Sequence, residues 1–345
     1  MEEWATYKLG EIAECSLGKM LDQRKNKGKP RTYLGNVAVR WGSFNIDPTQ
    51  TMLFEDHELE KYSLKKNDIV ICEGGEPGRC AIWKSNDTIL IQKALHRVRV
   101  NTEIADPLYV YYYISHLAKS HLLEPLFTGS TIKHLPRERL VSIDIRLPDL
   151  STQKQISSIL AVIDDKRHTN SLINDNLEQQ ILTLYKAWFI DLLPFNGIRP
   201  SSWSTGLLSD LLNLQKDTIK PTDVNGMPYL PIDTIPMRSL SINGFAPSED
   251  ALSSLQKFGF NDIVIGAMRV YFHRVIIAPC DGVTRNTCFV LRPHISNTLA
   301  YSLCICNQKD TIDFAQATSK GTTMPYAVWE GGLANMPITI PRSGS

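Results

Sequence analysis

Two stretches of the sequence match catalytic patterns in their letters. Pro148 and Asp149, followed by DDK at residues 164–166, match the PD-(D/E)xK pattern of metal-dependent nucleases. That chemistry needs its carboxylate and lysine on a strand beside the scissile phosphate, whereas residues 164–166 lie on the solvated side of a predicted helix. DPLY at 106–109 lacks one proline of the (N/D)PP(Y/F) loop of amino-methyltransferases, and no glycine-rich cofactor turn precedes it. We interpret both matches as coincidental.

No other group of residues has the spacing of a catalytic or metal site. EGGEPG at 73–78 carries acidic residues that would repel phosphate, and no Lys-Ser/Thr pair follows it. Cys304 and Cys306 are the only close pair among seven cysteines, and no second Cys/His pair stands at zinc spacing. Histidines and carboxylates do not cluster as an acid–base pair would. The sequence predicts no catalytic residue, no bound metal and no cofactor.

Cationic residues concentrate in a few segments, although the net charge is only +1. Six of them lie within residues 19–31, where Gly28 and Pro30 favour a loop. Such a loop offers phosphate contacts that release counterions, although a charge run more often forms a solvated face. Arginine can read guanine and lysine more often holds phosphate, but the sequence does not sort the two roles. The candidate DNA-binding residues are Lys19, Arg24, Lys25, Lys27, Lys29, Arg31, Arg40, Arg79, Lys133, His134 and Arg137 in the first half, and Lys216, Lys220, Arg238, Arg269, His273, Arg274, Arg285 and Lys320 in the second.

The segments that must position these residues form an internal repeat, because each occurs twice in the sequence. NDIVI at 67–71 returns at 261–265, Tyr-Leu at 33–34 returns at 229–230, and GST at 129–131 returns as GTT at 321–323. A period near two hundred residues predicts two domains of one fold in tandem, since solenoid repeats are far shorter. The matches fall on strand-forming residues and the mismatches on loops. We therefore expect one scaffold that carries two specificities.

Composition and pattern predict an α+β protein with two mixed α/β domains, at residues 1–150 and 200–341. The chain has 345 residues, 43% of them hydrophobic and 21% charged, as in soluble globular proteins. Short strands are predicted at 68–72, 81–83 and 96–100, and a helix at 108–123. The absence of a membrane-spanning apolar run and the odd number of cysteines favour a cytoplasmic protein with reduced thiols.

A long helix is predicted between the repeats, over residues 151–193. It lacks glycine and proline, begins with a Ser151–Thr152 capping pattern, and reaches roughly 60 Å at 1.5 Å per residue. Its apolar stripe has coiled-coil spacing with one asparagine that would fix the register, and a long core helix of a globular domain is the alternative. The expected interface residues are Ile156, Ile163, Asn170, Leu177, Leu184 and Trp188. Residues 342–345 look like a cloning remnant or a truncation, so that a second spacer helix is absent.

The order repeat, helix, repeat resembles the specificity subunit of type I restriction–modification systems. YKLGEI at 7–12 looks like the opening of a target-recognition domain in that family, and LKKNDIV at 64–70 followed by GRCAI at 78–82 looks like its central strand pair. TGSTI at 128–132, running into IRLPDL at 145–150 and QKQI at 153–156, is similar to the passage into the family's conserved helix, with Arg146, Asp149 and Thr152 replacing familiar residues.

The resemblance implies a non-catalytic, sequence-specific DNA-binding subunit. Each repeat would read one half of a split target in double-stranded DNA, and the helix would set the spacer. Two methylation subunits and, in the full complex, restriction subunits are the implied partners, and they would carry the S-adenosylmethionine, ATP and magnesium sites. An unpaired apolar helix face would promote self-association. The alternatives are a tandem protein-interaction module without DNA readout, and a fragment of a single-chain methyltransferase or nuclease.

Overall fold

The computed structural model describes residues 4–20, 22, 26–242, 244–253 and 255–341. Two candidate DNA-binding residues, Arg24 and Lys25, and the tail at 342–345 lie outside this described part. The chain divides into two compact units, Met1–His168 and Thr169–Ser345. No helix within the described ranges is both long and apolar enough to cross a bilayer.

The first unit consists of short strands and a few helices. Its strands are β1 (Ala5–Lys8), β2 (Ala13–Leu17), β3 (Lys29–Leu34), β4 (Val39–Arg40), β5 (Ser43–Phe44), β6 (Thr51–Phe54), β7 (Ile69–Cys72), β8 (Cys80–Ile82), β9 (Leu90–Ile91), β10 (Leu95–Val100) and β11 (Asp144–Leu147). Its helices are α1 (Leu9–Ile12), α2 (Leu59–Tyr62), α3 (Pro107–Lys119), α4 (Arg137–Leu140) and the first part of α5 (Leu150–Tyr185).

The second unit repeats this arrangement. Its strands are β12 (Ser204–Leu207), β13 (Leu212–Leu214), β14 (Thr218–Ile219), β15 (Tyr229–Leu230), β16 (Leu255–Phe258), β17 (Ile263–Gly266), β18 (Val275–Ile277), β19 (Gly282–Arg285), β20 (Cys288–Pro293) and β21 (Pro337–Ile340). Its helices are the last part of α5, α6 (Leu299–Cys306) and α7 (Lys309–Ala317).

Sheet topology confirms the internal repeat. The main sheet has the order β2-β10-β7-β8 in the first unit and β13-β20-β17-β18 in the second, and each unit closes on a pair of terminal strands, β1-β11 and β12-β21. The two Tyr-Leu pairs are equivalent as well, because β3 pairs in parallel with β9 and β15 pairs in parallel with β19. The predicted α+β class with two mixed domains in tandem is therefore confirmed.

The repeated NDIVI segment builds the centre of each main sheet. Ile69 and Ile71 face one apolar cluster while Val70 faces another, and Ile263 and Ile265 alternate with Val264 in the same way. Successive strand side chains point to opposite faces, so a strand buried on both faces needs an unbroken apolar run. Burial of each such side chain contributes about 1.5–3 kcal/mol.

A buried carboxylate anchors the start of each central strand. Asp68 accepts hydrogen bonds from Nε and Nη2 of Arg99 at 2.8 and 2.7 Å, and from the backbone of Lys65 at 2.7 Å. Asp262 accepts the equivalent bonds from Arg292, both at 2.7 Å, and from the backbone of Gly259. Both aspartates are 1% exposed. Each aspartate–arginine pair therefore connects the start of the central strand to the neighbouring strand, β10 in the first unit and β20 in the second.

Helix α5 begins at a different cap from the predicted one. The carboxylate of Asp149 accepts the backbone N–H groups of Ser151 and Thr152 at 2.9 and 3.1 Å, and the hydroxyl of Thr152 donates to it as well. These hydrogen bonds lower the pKa of Asp149. The Ser151–Thr152 cap is therefore corrected to Asp149, whose side chain satisfies the free N–H groups of the first turn.

The apolar residues of α5 divide between core and surface. Ile156, predicted at a helix interface, instead packs against the core of the first unit. Tyr185 is buried in the core of the second unit, with Ile181, Leu182 and Phe189 packed against it. The other predicted interface residues are exposed, namely Ile163, Asn170, Leu177, Leu184 and Trp188. The helix ends in a π-helical turn at Lys186–Ile190, close to the predicted end.

Candidate nucleic-acid interface

Two loops meet at one end of the main sheet in the first unit. The first is the turn between β7 and β8 at residues 73–79, and the second is the loop at residues 128–134. A backbone hydrogen bond joins them, since Leu135, which follows the second loop, donates to the carbonyl of Glu73 at 2.7 Å. The second loop is closed by two bonds of 2.8 Å between Thr128 and His134. We call residues 73–79 and 128–134 the first loop pair.

The second unit has the same pair of loops. The turn between β17 and β18 spans residues 267–274, and the loop that contains the GTT motif spans residues 320–326. Ala327 donates to Ala267 and Arg269 donates to Pro325, both at 2.8 Å, while Lys320 and Tyr326 exchange two bonds of 2.9 Å. These residues form the second loop pair. The equivalent closure by backbone bonds shows that one scaffold presents both.

Each loop pair exposes large apolar side chains among polar ones. Ile132 in the first pair is 64% exposed, and Met324, at the equivalent place in the second, is 51% exposed. Tyr271 and Tyr326 are 43% and 47% exposed. Apolar and aromatic side chains on a polar loop can contact thymine methyl groups or base faces. Sequence reasoning missed these four residues because it searched for charge, although the GST and GTT repeat located their loops.

A groove lies beside the first loop pair. Its volume is about 710 Å³, and its lining includes Trp41, Glu76, Lys119 and Lys133. The indole of Trp41 donates to Glu76 at 2.9 Å, and the ammonium of Lys119 stands 5.1 Å from the Trp41 ring centroid. Hydrogen bonding and the cation–ring contact hold the indole in one orientation. The wall of this groove is therefore preorganised.

A groove also lies beside the second loop pair. Its volume is about 540 Å³, and Arg238, Tyr271 and His273 are among its lining residues. The backbone N–H of Arg238 donates to His273 at 2.8 Å, and the His273 ring contacts the side-chain oxygen of Asn307 at 2.8 Å. Four predicted residues of the second half, Arg238, Arg269, His273 and Lys320, are thus brought together.

Lys19 has a structural position that conflicts with the predicted phosphate contact. Its side chain is 4% exposed, its ammonium pairs with Glu58 and donates to the carbonyl of Leu53 at 2.9 Å, and it lies over the Phe54 ring. Burial alone would raise the pKa of Glu58, but the hydrogen bond from Lys19 lowers it. Two of the three ammonium donors are engaged and the side chain is buried, so this position does not favour a contact with DNA.

Arg79 and Arg274 are also committed to the fold. Nη2 of Arg79 donates to the backbone carbonyl of Asn36 at 3.1 Å, and Nη1 of Arg274 donates to the carbonyl of Ile232 at 2.5 Å and to that of Ile235. Asn36 and Ile232 follow the two Tyr-Leu strands by the same two residues. The matched arginines therefore tie the turn of each loop pair to the neighbouring strand, and the prediction that they contact DNA is not supported by these positions.

Most of the other predicted residues are exposed, and Lys133, His134 and Lys320 among them belong to the loop pairs. Lys29 and Arg31 stand on β3, which corrects the predicted loop at 19–31, because β6 pairs with this segment. Nε of Arg137 donates to the carbonyl of Cys15 at 2.7 Å, and Lys216 pairs with Glu330 at 2.6 Å. The others are exposed at the surface, namely Lys27, Arg40, Lys133, His134, Lys220, Arg285 and Lys320.

One group of possible metal ligands occurs in the part of the chain that the structure describes. Ligand atoms of Glu55, His57 and Glu58 lie within 4.8 Å of one another. Glu58 is already paired with Lys19 and bonded to the backbone of Glu55. Since the carboxylate that would anchor a cation is occupied, we assign no metal to this group.

A family model for the type I restriction–modification DNA specificity domain matches residues 1–181, more than half of the chain. The chain belongs to this family. Two curated members are similar to it: the specificity subunit of the type I restriction enzyme MjaIX from Methanocaldococcus jannaschii, 24% identical over 253 residues, and that of HindI from Haemophilus influenzae, 27% identical over 164 residues. These matches cover 68% and 48% of this chain, but 58% and 29% of the relatives, so the chain spans less than two thirds of either.

A solved member of the family shares the fold. The chain is similar to the crystal structure of a type I restriction–modification S subunit from M. genitalium, with a TM-score of 0.59 and 15% sequence identity. The match covers 99% of this chain and 85% of that one. The architecture of this chain, two repeats of mixed strands and helices connected by the long α5, therefore has a counterpart in a solved specificity subunit.

Proposed function

We propose that this chain is the sequence-specific DNA-binding subunit of a type I restriction–modification complex, and that each loop pair reads one half of a split target. The observation that carries the proposal is the repeated scaffold with dissimilar loops. Turns 73–79 and 267–274 are held by equivalent arginine–carbonyl bonds, yet their side chains differ. Equivalent frames with unlike side chains suit a protein that reads two different half-sites.

Base contacts would come from the loop pairs and phosphate contacts from exposed cations elsewhere. Phosphate contacts fix the register of a protein on DNA, and base-edge contacts supply specificity. Lys27, Arg31 and Arg40 in the first unit, and Lys220 in the second, are exposed cations outside the loop pairs. We assign them to phosphate and leave base reading to the loops.

Helix α5 would supply the connection and the docking surface. Its exposed apolar residues, among them Ile163, Leu177 and Leu184, are 51%, 55% and 60% exposed. We assign this stripe to contact with the methylation subunits, which would hold S-adenosylmethionine, while ATP and magnesium would belong to the restriction subunits. On this proposal the chain itself performs no chemistry.

Selection from a pool of randomised duplexes tests the proposal. The full chain, co-purified with its methylation subunits, is expected to enrich a motif of two specified segments separated by a fixed number of unspecified base pairs. Ile132→Ala should weaken the sequence preference in the segment read by the first loop pair and leave the other segment intact. Met324→Ala should do the same for the segment read by the second loop pair. Enrichment of no motif, or a binding affinity equal for random and selected duplexes, would refute the proposal and favour a protein-interaction module.

A further inference from the structure

The turns of the two loop pairs share an unusual backbone feature. In the first, two left-handed positions are occupied by glycines, Gly75 at φ 73° and Gly78 at φ 89°. In the second, the corresponding positions near the start and end of the turn are occupied by Arg269 at φ 50° and His273 at φ 53°. Glycine adopts this conformation readily, whereas a side chain makes it unfavourable. The second turn carries side chains where the fold alone favours glycine.

The first turn explains why glycine is the default there. A Cβ added at Gly75 would come within 3.0 Å of Nδ2 of Asn36, and one at Gly78 within 3.2 Å of Cβ of Ala118. The second turn is one residue longer between the same two strands and admits larger side chains. Residues other than glycine that adopt a left-handed backbone conformation are concentrated at functional sites, where the side chain has a role that offsets the cost of the strain.

Arg269 and His273 differ in how their side chains are engaged. The His273 ring is held by Asn307 at 2.8 Å, and its carbonyl accepts the N–H of Arg238, so this residue fixes the turn. The guanidinium of Arg269 has no hydrogen bond or ion pair with any residue in the described ranges. Its backbone N–H donates to Pro325 at 2.8 Å, which fastens Arg269 beside the exposed Met324. The backbone of Arg269 is therefore fixed, while the five N–H donors of its side chain are available within the described part of the chain.

We infer that Arg269 reads a guanine in the half-site of the second repeat, by donating two hydrogen bonds to O6 and N7 in the major groove. This inference rests on the proposed function. The bidentate arginine–guanine contact is the commonest specific one. The bond from the backbone N–H of Arg269 to Pro325 limits the directions from which its guanidinium can approach a base. His273 acts as a positioning residue, since it holds the other end of the same turn.

The test is the duplex selection repeated with Arg269→Gly. Glycine relieves the left-handed backbone, so the melting temperature should equal or exceed that of the unmodified chain. The preference for guanine at one position of the second half-site is expected to fall by about tenfold or more, the value of one bidentate contact. The first half-site should be unchanged.

Two further variants separate base reading from charge and from backbone relief. Arg269→Lys keeps the charge but lacks the planar fork, so it should not restore the guanine preference. Asn297→Gly relieves another left-handed residue, at φ 62°, outside the loop pair, and should leave the motif unchanged.

The outcomes also distinguish the two proposals. A split motif that Arg269→Gly leaves intact, or an affinity loss that is equal for all sequences, would overturn the guanine assignment and leave the proposed function standing. If the unmodified chain enriches no motif, both are overturned.

Discussion

The buried aspartates that anchor the central strands make a quantitative prediction about the two repeats. Replacing Asp68 or Asp262 by asparagine keeps the volume but removes the charge that accepts three hydrogen bonds of 2.7–2.8 Å. Breaking a buried ion pair costs about 3–5 kcal/mol because the partner charge is left unpaired. The penalty is smaller where that partner reaches water.

The exposure of the partner arginine sets the difference between the two sites. The side chain of Arg99 is 28% exposed and that of Arg292 is 52% exposed. Hydrogen bonding to Asp68 raises the pKa of Arg99, and the substitution removes that effect. The guanidinium still stays charged, because an arginine remains protonated without such a partner. We expect Asp68→Asn to lower the free energy of unfolding by about 3 kcal/mol and Asp262→Asn by about 2 kcal/mol.

Urea denaturation with hydrogen exchange measures these losses in each repeat. Peptides from β7 should lose protection in Asp68→Asn, and those from β17 in Asp262→Asn. Glu330→Gln is the control, because the pair with Lys216 is exposed and should give no measurable loss. A larger loss at Asp262 than at Asp68, or no loss at either, would refute the reasoning from partner exposure.

Three other measurements address charge, thiols and pH. Arg31→Ala and Arg40→Ala should weaken binding to every duplex and lower the slope of log affinity against log salt by about 0.9 per lost phosphate contact; an unchanged slope in both would contradict the phosphate assignment. Alkylation at pH 8 should label the half-buried Cys280 first, because burial raises the pKa of Cys80 to about 12 and also raises the pKa values of the other buried thiols. Rapid labelling of Cys80 would contradict this expectation. Burial lowers the pKa of His96, whose Nε2 donates to the carbonyl of Leu135 at 2.8 Å while Nδ1 has no partner among the described residues, so the free energy of unfolding should fall as the pH drops through the ordinary value of 6.5. His96→Gln should flatten that dependence between about pH 5 and 7, and an unaltered pH profile would exclude His96 as its source.

Local sequence patterns predicted the framework well because strands and long helices carry periodic signals. The repeated NDIVI segment was matched to two equivalent central strands, and the glycine-free stretch after residue 150 to one helix. The GST and GTT motifs correctly marked equivalent loops. These features depend on residues close together in the chain, so the sequence alone displays them.

The roles of individual cations were not predictable in the same way. Lys19 and Arg31 look alike in the sequence, yet one is buried against Glu58 and the other is exposed on β3. Arg274 and Arg269 lie five residues apart, yet one bonds to two carbonyls more than thirty-five residues away in the chain and the other is unbonded within the described residues. Such differences arise from tertiary contacts, and no local pattern encodes them.

Exchange of the loop pairs is the most direct measurement of the central claim. Residues 267–274 and 320–326 would be replaced by residues 73–79 and 128–134, with circular dichroism to verify the fold, and the target would be determined by selection from randomised duplexes. If the loop pairs read the half-sites, the second segment of the motif should be replaced by the bases of the first. A motif that keeps its original second segment would contradict the account.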